Sequence, residues 1–254
     1  MWRKLRIAIL LFILATVAHR TWLQTHAPEW RNNFYVALYP INVDGSPHVA
    51  QYLSTLDPEA FQAISAYMAE QAQRFGLRLR RPFEVQLGPE ISSLPPQSAK
   101  SANVLQAMLW SLQFRWWAWR HSPEMPVKPD IRLYLLYFDA AKYHLLPHSA
   151  SLNKGRIGLV NVFADPADAK QNNVVIAHEL LHTVGASDKY DLSNNQPLYP
   201  AGYAEPDKAP LYPQDIAELM AGRVPLSETT AEIPASLAQT LIGEQTACEI
   251  GWIK

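Results

Sequence analysis

The chain has 254 residues, 48% of them hydrophobic, which is enough to bury a substantial core and too apolar for a disordered segment. Its 22 Lys and Arg against 23 Asp and Glu leave a formal net charge of -1, so no broad basic field exists to collect phosphate backbones, and nucleic acid is excluded as an expected partner. Cys248 is the only cysteine, which excludes an internal disulfide framework and any cysteine-rich zinc module; a metal here needs His and carboxylate ligands.

Residues 1–20, MWRKLRIAILLFILATVAHR, set basic Arg3, Lys4 and Arg6 before an apolar run from Ile7 to Ala18, the layout of a signal peptide or N-terminal membrane anchor. Thr16 and Ala18 offer small residues for cleavage, whereas the basic flank and Trp22 suit retention as an anchor. The expectation is an exported protein, membrane-anchored with its domain outside the cytoplasm, or secreted or periplasmic if the segment is cleaved. Residues 21–31 read as a tether and 32–254 as a single domain in two lobes split near residue 185.

The stretch 33–43, NFYVALYPINV, reads as a first strand, rich in aromatic and β-branched residues. Residues 57–76 read as a helix capped by Asp57, with Phe61, Ile64, Met68 and Ala72 on one stripe and Gly76 as its stop. A strand is expected over 77–87, with Pro82 marking an edge or bulge. Residues 101–120 form a helix so rich in Leu, Met and Trp that more than one face must be covered, by the sheet or by another partner. IRLYLLYFD (131–139) is apolar on both faces and belongs inside a sheet; RIGLVNVF (156–163) is the expected final strand, with an edge open to an extended substrate. These elements predict an α+β fold: a mixed sheet with backing helices, an active-site helix, and an irregular, proline-rich C-terminal lobe.

VVIAHELLHTV (174–184) has a helical period, with Val174, Ala177, Leu181 and Val184 on its buried stripe. His178 and His182, one turn apart, can converge on a single ion at about 2.0–2.1 Å. Glu179, about 100° further round, can take a proton from water without filling a coordination position. Gly185 can adopt a left-handed conformation that ends the helix, and the returning chain offers the carboxylate of Asp188 as a third ligand.

With HELLHTVGASD spanning 178–188, the chain resembles the metzincin clan of zinc metallopeptidases, whose pattern is H-E-x-x-H-x-x-G-x-x-H with Asp in the last place in some members. The resemblance covers about residues 174–222. It implies a zincin-like fold, zinc held by His178, His182 and Asp188, Glu179 as general base and acid, Gly185 at the turn, and Met220 in a methionine turn beneath the metal. Glu218 stays open as an alternative third ligand, since another class of H-E-x-x-H peptidases takes a glutamate from a later helix and PQDIAELM can supply one. Tyr190 is a candidate to stabilise an oxyanion. His144 and His148 flank a proline and can line a cleft, while Asp165, Asp191 and Glu205 read as solvated or capping carboxylates.

The expected function is zinc-dependent endopeptidase activity on a peptide or protein substrate. The alternative is a membrane-tethered binding or assembly protein whose zinc is structural, distinguished by a fourth protein ligand closing the coordination position.

Overall fold

The segment Phe34–Asn42, FYVALYPIN, forms strand β1, and six consecutive residues of it are buried because both faces of the sheet are covered. The structure is a computed structural model that describes residues 30–97, 104–153 and 155–253. Strands β2 (Phe83–Leu87) and β3 (Ile131–Phe138) flank β1 in parallel; β5 (Ile157–Phe163) pairs in parallel with β3, and the short β4 (Ala150–Leu152) pairs antiparallel with β5. The order is β2-β1-β3-β5-β4. The fold is α+β, with a mixed sheet backed by helices.

The period of two along the strands separates two cores. Val36 and Leu38 of β1 point to one face, where helices α1 (Pro47–Ser54), α2 (Gln62–Arg74) and α4 (Ala169–His182) bury Val49, Ile64, Met68, Ile176 and Leu180. Ala37, Tyr39 and Ile41 point to the other, where helix α3 (Val104–His121) contributes Phe114, Trp117 and Ala118. After α4 the chain runs through irregular structure with two small pairings, β6 (Ala217–Glu218) with β9 (Thr240–Leu241) and β7 (Val224–Pro225) with β8 (Ala231–Glu232), and ends in α5 (Glu244–Glu249).

Several elements differ from expectation for local reasons. The helix expected over 57–76 begins as a 3-10 turn, Pro58–Phe61, capped by the Asp57 carboxylate accepting from Glu59 N–H, before α2 proper; its stripe of Phe61, Ile64, Met68 and Ala72 is buried as the spacing predicts. The strand expected over 77–87 shortens to β2, which starts just after Pro82, a residue with no N–H to give a ladder. The final strand of the sheet is β4, so β5 has no free edge and the outer strand comes from the loop before it. PQDIAELM is a short strand and turn rather than a helix.

Among the described residues no helix is long and apolar enough to cross a membrane. The longest, α3, has 18 residues but carries Gln106, Gln113, Arg115 and Arg120, against a need for about 20 predominantly apolar residues. On this finding the membrane-anchored location, the membrane as partner and the signal-anchor reading are corrected. Residues 1–20, on which that expectation rested, lie outside the described residues.

Helix α4 is fastened to the sheet and to the 3-10 turn before α2 by side-chain amides. Asn172 Nδ2 donates to Phe163 O at 2.9 Å while its Oδ1 accepts from Phe163 N at 3.3 Å, completing the end of β5, and Asn173 Nδ2 donates to Ala60 O at 3.0 Å. Asn172→Ala removes both bonds to Phe163 and is expected to lower unfolding free energy by about 1–3 kcal/mol with an unchanged denaturant slope, read by urea titration.

Candidate metal centre

The buried stripe of α4 fixes the helix's rotation and so points the neighbouring face, with His178 and His182, into a groove. Their ring centroids are 4.7 Å apart. Each imidazole is oriented from behind by a backbone carbonyl, which can only accept: His178 Nδ1 donates to Leu219 O and His182 Nδ1 to Ala186 O, both at 2.9 Å. Both Nε2 atoms are thereby turned toward the same space.

The carbonyl that holds His182 is placed by the helix end. Gly185 has φ +114°, and paired bonds from Gly185 N to His182 O (3.3 Å) and from Ala186 N to Leu181 O (3.1 Å) form a Schellman reversal. A Cβ on Gly185 would stand 3.4 Å from Glu249 O in a conformation L residues avoid, so glycine is required. The reversal also carries Asp188 back beside the histidines.

The donor atoms of His178, Glu179 and His182 lie within 4.8 Å of one another, a cluster that can hold a metal ion. A tighter set lies beside it. His178 Nε2, His182 Nε2 and Asp188 Oδ1 form a triangle with every edge 3.1 Å. Ligands about 2.1 Å from a tetrahedral ion stand about 3.4 Å apart, so the spacing fits a small divalent cation. Two imidazole nitrogens this close also need a proton or a cation between them, since two lone pairs repel. Glu179 stands beside this triangle in the same groove: it is 6% exposed, and its Oε2 accepts from Ser151 Oγ of β4 at 2.6 Å.

Glu218 stands outside this triangle. It is fully buried, and its two oxygens accept four hydrogen bonds: Met220 N (2.6 Å) and Ala221 N (3.0 Å) on Oε2, Gly243 N (3.1 Å) and Thr246 Oγ1 (2.7 Å) on Oε1. Its carboxylate shapes the turn that presents the Leu219 carbonyl to His178 and buries Met220. The Asp188 segment is braced in the same manner. Lys189, 3% exposed, donates to Glu249 Oε2 at 2.7 Å and to Ser187 O and Oγ at 2.9 and 2.8 Å, while Ser187 N and Oγ donate to Glu249. Both neighbours of Asp188 are thus pinned to α5.

Charge follows this packing. Burial alone would depress His182, but the hydrogen bond to Asp188 and the carboxylates of Glu179 and Asp188 push it up to about 9. Burial would raise Asp188, yet the bonds from His178 and His182 hold it far below the usual carboxylate range. Burial, then the charges of Asp188 and Glu179, push the Tyr190 phenol up to about 12, so it keeps its proton at neutral pH. Its ring lies 6.3 Å from that of His178.

The cluster forms the floor of a groove of about 930 Å³ that also reaches His144, His148, Tyr190 and Arg223. His144 and His148 are exposed at its rim. Asp165 and Asp191 accept from backbone N–H groups two residues ahead, and Glu205 accepts from Asp215 N, so these three act in turns away from the triangle. Sequence reasoning missed Ser151, Lys189 and Glu249. Only the alternation of Ser with apolar residues in ASL hints at β4, and nothing local links Lys189 to a partner 60 residues away.

Two outcomes follow from these contacts. Below about pH 9 a proton on His182 competes with any cation, so cation binding tightens from pH 6 toward 9, by up to about tenfold per unit. The cation-free fold behaves oppositely: the raised pKa contributes stability that is complete below the ordinary value of 6.5 and fades as pH rises through about 9. Chelator competition and thermal melts in excess chelator measure the two trends, and a flat affinity across this window contradicts the assignment. Glu218→Gln places an NH₂ group against backbone donors and is expected to cost about 2–4 kcal/mol in chemical denaturation. No protein-family model matches the chain and no curated protein matches it, so what this centre does is read from its own donors.

Proposed function

We propose that this chain is a zinc-dependent endopeptidase of metzincin-like, zincin-type architecture, with residues 32–254 acting as one domain whose two lobes meet near Gly185 and enclose the groove. The observation that carries it is the juxtaposition, on one groove floor, of a three-donor set with a buried glutamate outside that set. His178, His182 and Asp188 hold the ion, and Glu218, spent on four internal donors, does not. A purely structural metal would leave Glu179 without a task.

Zinc held by these donors supplies a Lewis acid and lowers the pKa of water. Glu179 takes the proton from the attacking water and returns it to the leaving amine. Ser151, by binding Oε2, fixes the rotation of the Glu179 carboxylate toward the groove. Tyr190 keeps its phenolic proton and donates it as a hydrogen bond to the oxygen on which negative charge develops. Gly185 sets the reversal, and Met220 is buried in the turn that Glu218 shapes. The outer edge of β4 has no strand neighbour among the described residues, and an extended peptide adds there as a further strand, its alternate side chains entering the groove.

Glu179→Gln is expected to keep about one zinc per chain by elemental analysis and to lose about 10²–10⁴ in hydrolysis of a mixed peptide library read by mass spectrometry. His178→Ala and His182→Ala lose the zinc itself. Undiminished cleavage by the glutamine variant removes Glu179 from the mechanism, and undiminished zinc in both histidine variants removes the metal site.

A further inference from the structure

Helix α3 carries two apolar seams on opposite sides. Trp110, Phe114, Trp117 and Ala118 face the sheet. The other seam meets solvent: Leu105 is 70% exposed, Leu109 60%, Leu112 62%, Trp116 63% and Trp119 78%. Together these five present on the order of 700 Å² of accessible surface, above the roughly 300–600 Å² of the largest patch on ordinary monomers and close to the about 800 Å² each partner buries in a standard interface. Their spacing in the sequence alternates four, three, four, three, the register of a coiled-coil seam. A strict 3.5-residue repeat is what a second helix lying along α3 requires, whereas a small ligand needs no repeat.

We propose that this seam is the interface of a homodimer in which α3 packs antiparallel against α3 of a second copy about a two-fold axis near Leu112. The direction follows from size and charge. Antiparallel packing sets the leucine end of one helix, Leu105 and Leu109, against the tryptophan end of the other, Trp116 and Trp119, so small layers meet large ones. The helix contains no Asp or Glu, and its cations, Arg115 and Arg120, lie toward one end. Arg115 leans back over Gly155, its Cζ 3.7 Å from where a Cβ there would lie. Parallel packing would bring the two Arg120 side chains together at one end. Antiparallel packing separates their positions by about 24 Å along the axis, well beyond the about 8 Å screening length. The groove and its metal donors lie on the opposite face of the sheet from α3, so the pairing leaves them open.

The full chain is weighed by analytical ultracentrifugation at about 50 µM, above the micromolar limit typical of interfaces this size. The expected mass is twice that of one chain. Leu112→Arg, at a 62% exposed position, is expected to weaken the dimer about 30-fold or more while leaving circular dichroism and metal content unchanged. Leu112→Cys, made together with Cys248→Ser to remove the one native thiol, is expected to form a covalent dimer on mild oxidation. A single-chain mass for the parent overturns the proposal, whether the seam is then covered by another segment of the chain or by a lipid surface. A dimer that Leu112→Arg leaves intact, or a dimer that Leu112→Cys fails to cross-link, overturns it equally.

Discussion

The two histidine side chains are held from behind by backbone carbonyls, and most of the surrounding structure exists to put those carbonyls in place. An imidazole whose Nδ1 donates to a fixed acceptor has its ring plane set, so its Nε2 atom is aimed before any ligand arrives. Ala186 O is delivered by the reversal at Gly185, three residues past His182. Leu219 O comes from a turn 41 residues away in sequence. A helix alone gives the spacing of the pair; the two carbonyls give its direction.

The Leu219 carbonyl and the Asp188 segment each depend on buried polar groups, which are costly unless fully satisfied. Glu218 meets that condition with four donors, and Lys189 with Glu249 and Ser187. These two networks converge on α5, which supplies Thr246 to one and Glu249 to the other. The C-terminal region is in turn tied to α2, where Gln71 Oε1 accepts from Ile242 N at 3.0 Å and Tyr67 meets Thr240 at 2.9 Å. The last residues of the chain thus act on the geometry of a site whose donors all lie between 178 and 188.

The parts of this arrangement that were legible in the sequence are those set by local geometry. An i, i+4 histidine pair, a buried stripe at helical spacing and a glycine that can take positive φ each follow from a few adjacent residues. The long apolar strand β3 was legible because burial on both faces leaves a continuous hydrophobic run. What was not legible depends on contacts between distant segments: Ser151 reaching Glu179 across 28 residues, or Lys189 reaching Glu249. Glu218 illustrates the limit most clearly. Its residue type and position suited a ligand, and only its four donors show it occupied in a turn. Strand β4 is three residues long and α1 eight, both too short for a periodicity to stand out from composition.

The sheet also divides the labour of its two faces. On the α4 side, polar side chains interrupt the apolar core at the groove, and each interruption is compensated by a specific partner. On the α3 side the packing is almost wholly aromatic, with Tyr39, Tyr134, Phe114 and Trp117 stacked or edge-on at centroid distances of 4.9–6.2 Å. Polar links there satisfy ring groups that burial would otherwise strand: Ser122 meets the Tyr134 hydroxyl at 2.8 Å, the Tyr39 hydroxyl donates to Pro123 O at 3.0 Å, and Trp117 Nε1 donates to Ser93 Oγ at 3.2 Å. Dense aromatic packing makes α3 a rigid platform, and a rigid platform loses little conformational entropy when a second helix settles on its outer seam. The sheet strands β1, β3 and β5 stand between α3 and α4, so the outer seam and the donor triangle lie on opposite sides of the sheet.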